Sequence, residues 1–291
     1  MKTAQKTQVV QAGVFSLCLL ACSAVMAAEM LIRGYGPIST VQAFTEFHVV
    51  ASANWEKYAT DFISFVNGTS RLYLPVLVGV PLVFLLHYVA IGPKSFGHTG
   101  KKIVFYTILT RFLHWACAIT FSLLVISGVM VVFARFFHGG SLVLTARSVH
   151  LFCAYGFLVF GTPLFLIWLK DMFPAPYDIK WIITAGGYLS KKTKPVSAGK
   201  FNFGQKMWFW LAFAGGAVMF YTGYYISGMN LPQEQLAGFL KIHLLLGLAI
   251  VALFITHLYM SLFGVKGALG SMIRGYKWEE EVRVLHSKML K

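Results

Sequence analysis

The chain gathers its apolar residues into runs of roughly 19 to 23, each long enough as a helix to cross a hydrocarbon core of about 30 Å. Inside that core every backbone N–H and C=O must be bonded within the protein, so runs of this length fold as helices. Behind an apolar stretch at 9–28, five spans are expected at about 73–91, 112–134, 149–169, 207–228 and 242–263. Only 12% of the residues are charged, about half the share usual in a soluble domain. The sequence therefore predicts an all-α, polytopic membrane protein.

Segment 1–28 opens with Lys2 and Lys6 and closes on small residues around Val25-Met26-Ala27-Ala28 before Glu29, the layout of a secretory signal peptide. Leu19-Leu20-Ala21-Cys22 also fits a lipoprotein signal loosely, and an uncleaved anchor is a third reading. With 29–72 outside, basic residues number four between Lys94 and Arg111, seven between Lys170 and Lys206, and six after Phe263. The outer segments hold Arg33, Lys57, Arg71, Arg135 and Arg147. This bias expresses the +15 net charge as topology, placing the N-terminus in the periplasm and the C-terminus in the cytoplasm of a bacterial inner membrane. The expected organisation is a signal (1–28), a periplasmic segment (29–72), an additional transmembrane helix (73–91), a four-helix domain (104–276) and a cytoplasmic tail (277–291).

No segment outside the membrane is large enough for a catalytic domain, since the longest are about 40 residues. Cys18 and Cys22 fall in the signal, Cys117 and Cys153 stand alone in helices, and neither a CxxCH nor an iron–sulfur spacing occurs. Soluble chemistry must belong to a partner.

Five histidines lie within or at the ends of the spans: His87, His114, His150, His243 and His257. Such residues in a membrane mark function by default, although each alone could simply bond a backbone carbonyl of a neighbouring helix. His114 and His257 share the cytoplasmic depth, and His150 and His243 share the outer depth. His243 and His257 are 14 residues apart on one helix, which returns the second to within roughly 40° of the first, about 21 Å away. Two imidazoles at each of two depths suit two non-covalent b haems, held as a four-helix bundle holds cofactors, from facing helices. The expected fold is thus a transmembrane di-haem four-helix bundle plus one N-terminal helix.

Arg111 precedes His114 by three residues and Arg147 precedes His150 by three, each one turn nearer water, where a guanidinium can pair with a haem propionate or merely snorkel. Gly247, one turn past His243, leaves room for a flat macrocycle. Zinc would ask for carboxylate or thiolate ligands, which these histidines lack beside them. His87 shares the inner depth without an outer counterpart or a preceding Arg, which suits a polar residue on a peripheral helix.

The ordered segments Arg111-Phe-Leu-His114-Trp, Arg147-Ser-Val-His150, Lys200-Phe-Asn-Phe-Gly-Gln-Lys206, Ile242-His243, His257-Leu-Tyr-Met260 and Val265-Lys-Gly267 resemble the gamma subunit, the cytochrome b, of membrane-bound formate dehydrogenases. The resemblance covers about 106–276, while the span at 73–91 matches only longer members. It implies a complex in which a molybdenum or tungsten alpha subunit oxidises formate and an iron–sulfur beta subunit relays the electrons. Gamma would pass them through two bis-His haems, His150/His243 outside and His114/His257 inside, to a quinone such as menaquinone. It also implies a quinone site at the cytoplasmic edge formed by Asn202, Gly204, Gln205 and the edge of His257. An amide side chain and an open backbone are apt partners for a quinone carbonyl, although the same residues would also make an ordinary helix cap.

Close alternatives are the cytochrome b of a nickel–iron hydrogenase or of a molybdoenzyme such as thiosulfate reductase. A haem-free transporter is the reading from another class, and it would usually place an acid or a broken helix in the membrane; the five spans contain no Asp or Glu. A structural anchor would leave four costly histidines at matched depths without a purpose.

Overall fold

The computed structural model describes residues 55–192, 195–228 and 231–289. The expected signal at 1–28 and most of 29–72 lie outside the described residues. Among the described residues, four helical runs are long and apolar enough to cross a membrane: Ser64–Ala90, Ile108–Val132, Gly140–Asp171 and Glu234–Gly264. The chain is an all-α membrane protein.

The first run joins α1 (Trp55–Leu74) to α2 (Val80–Ala90) through a π turn at Pro75–Gly79. Pro75 brings no N–H and crowds the turn before it, and the hydrogen-bond ladder widens there. Leu82, Val83, Leu86 and Val89 are exposed, as side chains facing lipid must be. β1 (Lys102–Val104) leads to α3 (Ile108–Val132), whose first turn is capped by Thr107 Oγ1 accepting the Thr110 N–H at 3.2 Å. α4 (Gly140–Trp168) and the short α5 (Pro176–Ile183) follow.

The next expected span is a helix in three pieces: α6 (Phe203–Trp210), a π turn at Leu211–Gly215, and α7 (Gly216–Gly228). Its Trp, Tyr and Gly residues make it less apolar than the four runs above. α8 (Gln233–Tyr259) ends in a third π turn, Met260–Gly264. α9 (Ala268–Arg274), β2 (Tyr276–Trp278) and α10 (Glu279–Leu285) complete the order.

α4 and α8 begin earlier than their apolar runs. His150 and His243, expected at helix starts, each lie ten residues in, after Gly140 and Gln233. Helical hydrogen bonds carry on past the apolar stretch through residues such as Ser141, Arg147, Glu234 and Lys241, which are exposed.

Contacts divide the chain into two compact units. Of the described residues, one contains those up to Tyr73, those of 116–160 and those of 217–247; the other contains those of 74–115, of 161–216 and those from Leu248 on. In the first, Phe121 packs on Phe157 and Tyr155 on Phe220, and Thr120 lies so near Gly156 that a Cβ there would stand 2.9 Å from its methyl. In the second, Phe165 stacks on Phe209 with ring centres 5.2 Å apart. Its strands β1 and β2 pair antiparallel, Ile103 opposite Lys277. A parallel bridge joins Lys94 to Val265, and Gly267, at φ +89°, makes the left-handed turn that starts α9.

Candidate functional site

The first unit brings together His150 of α4 and His243 of α8, their ring centres 6.3 Å apart and their planes at 61°. A hydroxyl from a third and a fourth helix orients each ring. Ser127 Oγ of α3 lies 3.0 Å from His150 Nδ1, and Thr222 Oγ1 of α7 lies 2.9 Å from His243 Nδ1. Each hydroxyl already donates to its own helix, Ser127 to the Leu123 carbonyl at 2.5 Å and Thr222 to the Val218 carbonyl at 2.8 Å. With that hydrogen committed, each oxygen accepts Nδ1–H, and the ring's Nε2 keeps its lone pair as a metal ligand must. Glycine follows each hydroxyl. A Cβ on Gly128 would stand 3.1 Å from His150 Cε1, and one on Gly223 would stand 3.2 Å from His243 Cε1.

The second unit pairs His114 of α3 with His257 of α8, ring centres 6.4 Å apart. Its surroundings differ. His257 stacks on Trp208 of α6 at 5.2 Å and 17°, and His114 is flanked by Trp115 and Trp168. Among the described residues His114 Nδ1 is buried without a hydrogen-bond partner.

Ring spacing tests what the pairs can hold. Two imidazole nitrogens each about 2 Å from one metal ion, with about 1.2 Å from nitrogen to ring centre, put the ring centres roughly 6.4 Å apart. A direct hydrogen bond between the rings would draw them to about 5 Å. The observed 6.3 and 6.4 Å are wider than a direct bond between the rings allows and leave room for an ion between them. Among the described residues no three His, Cys, Asp or Glu side chains gather around one point. Each donor set is therefore a pair, short of a zinc site's three or four protein ligands but sufficient for a haem, which brings four nitrogens of its own. Arg111 supports the same fit: one guanidinium nitrogen donates to the Ile273 carbonyl, while its buried Nε–H has no acceptor among the described residues. Arg147 is exposed.

Asn202, Gly204 and Gln205 form the N-terminus of α6. Asn202 Oδ1 accepts the Gln205 N–H and Gln205 Oε1 accepts the Asn202 N–H, both at 3.0 Å, a reciprocal capping box. The amide nitrogens of both side chains remain as donors. Gly204 lies under Trp181, where a Cβ would stand 3.0 Å from the indole, so this glycine admits that ring. The segment is pinned at both ends. Lys200 pairs with Asp171 at 3.5 Å, and Lys206 is buried against Asp178 at 2.7 Å.

Two expectations take a different form. The space at Gly247 is filled by Tyr73, whose hydroxyl would stand 2.7 Å from a Cβ there and donates to the Leu244 carbonyl at 2.8 Å. The glycine thus seats the N-terminal helix. His87, read as a peripheral polar residue, places Nε2 2.9 Å from the Tyr188 carbonyl and Nδ1 2.6 Å from Tyr259 Oη. Since a carbonyl only accepts, Nε2 carries the hydrogen and Tyr259 donates to Nδ1.

Sequence reasoning missed Ser127, Thr222, Asp178 and Trp208. The available signal was a hydroxyl–glycine dipeptide, Ser127-Gly128 and Thr222-Gly223, repeated in two different spans.

A family model described as prokaryotic cytochrome b561 matches residues 105–275. The chain is 28% identical over 187 residues to the nitrate-inducible formate dehydrogenase cytochrome b556(Fdn) subunit of Escherichia coli K12, covering 60% of this chain and 84% of that protein. It is 27% identical over 202 residues to the formate dehydrogenase cytochrome b556(fdo) subunit of the same strain, covering 62% and 93%. To the formate dehydrogenase cytochrome b556 subunit of Haemophilus influenzae it is 26% identical over 187 residues, covering 60% and 76%.

Proposed function

This chain belongs to the prokaryotic cytochrome b561 family, and from that premise we propose that it is the membrane cytochrome b subunit of a formate dehydrogenase, carrying electrons through two b haems to a quinone. The family implies haem b. The observation that supports a count of two is the presence of two imidazole couples, each too far apart for a direct ring-to-ring hydrogen bond.

His150 and His243 hold the outer haem and His114 and His257 the inner one, within a domain at 104–276. A haem at each site supplies a one-electron Fe(III)/Fe(II) couple. The hydroxyls of Ser127 and Thr222 hold His150 and His243 in the tautomer that presents Nε2. Arg111 and Arg147 pair with propionates, the buried Nε–H of Arg111 finding its acceptor there.

The quinone is placed at the cytoplasmic edge of the inner pair. Asn202 and Gln205 donate amide N–H to its carbonyl, Gly204 lets Trp181 close over the turn, and His257 offers its ring edge. Support comes from α6 itself, which carries Asn202 at its cap and, one turn beyond Gly204, the Trp208 that stacks on His257. Menaquinone is the proposed acceptor. Formate loses two electrons and one proton to become carbon dioxide on a molybdenum or tungsten alpha subunit, and an iron–sulfur beta subunit relays the electrons. The quinone gains two electrons and two protons. With the basic loops inside, those protons come from the cytoplasm of a bacterial inner membrane, and charge separates without a pumped proton. The similarity to cytochrome subunits of formate dehydrogenases favours a formate dehydrogenase partner over a hydrogenase or thiosulfate reductase.

A pyridine haemochrome assay on the purified chain tests this reading. Two haem b per chain are expected, falling to one in His243→Ala and to one in His257→Ala. Unchanged haem in both variants refutes the assignment of ligands.

A further inference from the structure

The two pairs of imidazoles differ in one respect that bears on electron flow. In the outer pair both Nδ1–H groups are bonded, His150 to Ser127 Oγ at 3.0 Å and His243 to Thr222 Oγ1 at 2.9 Å. In the inner pair His114 Nδ1 is buried with no partner among the described residues, and His257 lies flat against an indole face. The same device, a hydroxyl followed by glycine, has been built twice on different helices, once for each outer ring.

A hydrogen bond from Nδ1–H to an oxygen pushes electron density onto the imidazole and makes Nε2 a stronger donor. A stronger donor favours Fe(III) over Fe(II), and second-shell bonding of this kind is one of the protein's means of setting a haem potential. Both outer ligands have the bond, and the hydroxyl oxygens are fixed as acceptors because their own hydrogens are committed to the Leu123 and Val218 carbonyls. His114, without an acceptor, is the weaker donor.

Resting on the di-haem reading, we propose that Ser127 and Thr222 are positioning residues that hold the outer site at a lower potential than the inner site. The asymmetry gives the pathway its direction. An electron delivered to the His150/His243 side moves downhill to the His114/His257 side, where the quinone is reduced.

The test is optical potentiometry of the b-haem absorption band on the purified complex, after its haem has been counted. The wild type is expected to reduce in two components. Ser127→Ala and the isosteric Thr222→Val should each move the lower-potential component upward and leave the upper one in place, with a larger shift when both are combined. Ser127→Thr and Thr222→Ser, which keep the hydroxyl, should restore the wild-type curve. A lower component that does not move, or two components that move together, in variants retaining two haems overturns the proposal. So does loss of haem from both single variants, which would assign the hydroxyls to holding the fold. Fewer than two haems in the wild type would instead refute the di-haem reading before any variant is compared.

Discussion

Lys206→Met tests how the quinone-side turn is held. The Lys206 ammonium donates to Asp178 Oδ2 at 2.7 Å, both side chains are under 5% exposed, and Tyr177 presents its ring 5.0 Å from the ammonium. Asp178 Oδ2 also accepts the Ala175 N–H at 2.7 Å, and Asp178 Oδ1 has no partner among the described residues. Replacing Lys206 leaves a buried carboxylate with one backbone N–H, which costs about 3–5 kcal/mol when one partner of a buried pair is removed. Adding Asp178→Asn removes the stranded charge but keeps an oxygen for Ala175, so the double variant should recover about 2–3 kcal/mol of that loss. The penalty falls on 200–206, and quinone-coupled turnover should drop more than tenfold while haem content stays constant. Stability is read from denaturant unfolding in detergent micelles, and the local effect from hydrogen exchange at 200–206. A Lys206→Met chain within about 1 kcal/mol of wild type, or a double variant no better than the single, would refute the reasoning.

His286 is 2% exposed and donates Nδ1–H to the Gly199 carbonyl at 2.8 Å, and burial, with the charge of Lys277, pushes its pKa down to about 3. The folded chain keeps it neutral while the unfolded chain protonates it near 6.5. Its stabilisation is therefore full above about 6.5 and is lost as pH falls toward about 3, by at most about 1.4 kcal/mol per pH unit. Melting at pH 7 and pH 5 should show this loss, and His286→Leu should flatten the pH slope; equal slopes would exclude His286 as the cause. Gly128→Ala and Gly223→Ala should each lower the haem retained after gel filtration, because the new Cβ meets His150 or His243 at 3.1 or 3.2 Å. Gly238→Ala, which meets nothing within 4 Å, is the control, and haem loss equal in all three would rule out the steric account.

The long helices were legible because a bilayer demands long apolar runs, and the histidine pairs because depth can be counted along alternating spans. Helix ends were not legible. α4 runs back to Gly140 because helical bonding does not stop where hydropathy does. Ser127 and Thr222 escaped notice because a hydroxyl in a membrane helix commonly does no more than bond its own preceding turn, and only the spatial approach of an imidazole gives it a second use. Gly247 was misread for a related reason: a missing side chain shows that something comes close, not what. Tyr73, 171 residues away from its acceptor Leu244, fills the gap.

That tie constrains biogenesis. The run from Trp55 to Ala90 is made early, yet two of its bonds close on α8, Tyr73 at the Leu244 carbonyl and His87 at Tyr259, 171 and 172 residues later, while the Tyr188 carbonyl that His87 also meets comes 101 residues later. Until α8 leaves the ribosome, a phenol and an imidazole face lipid without these partners, at a cost of a few kcal/mol each. Those two bonds therefore close late, after the segments between their partners have been made.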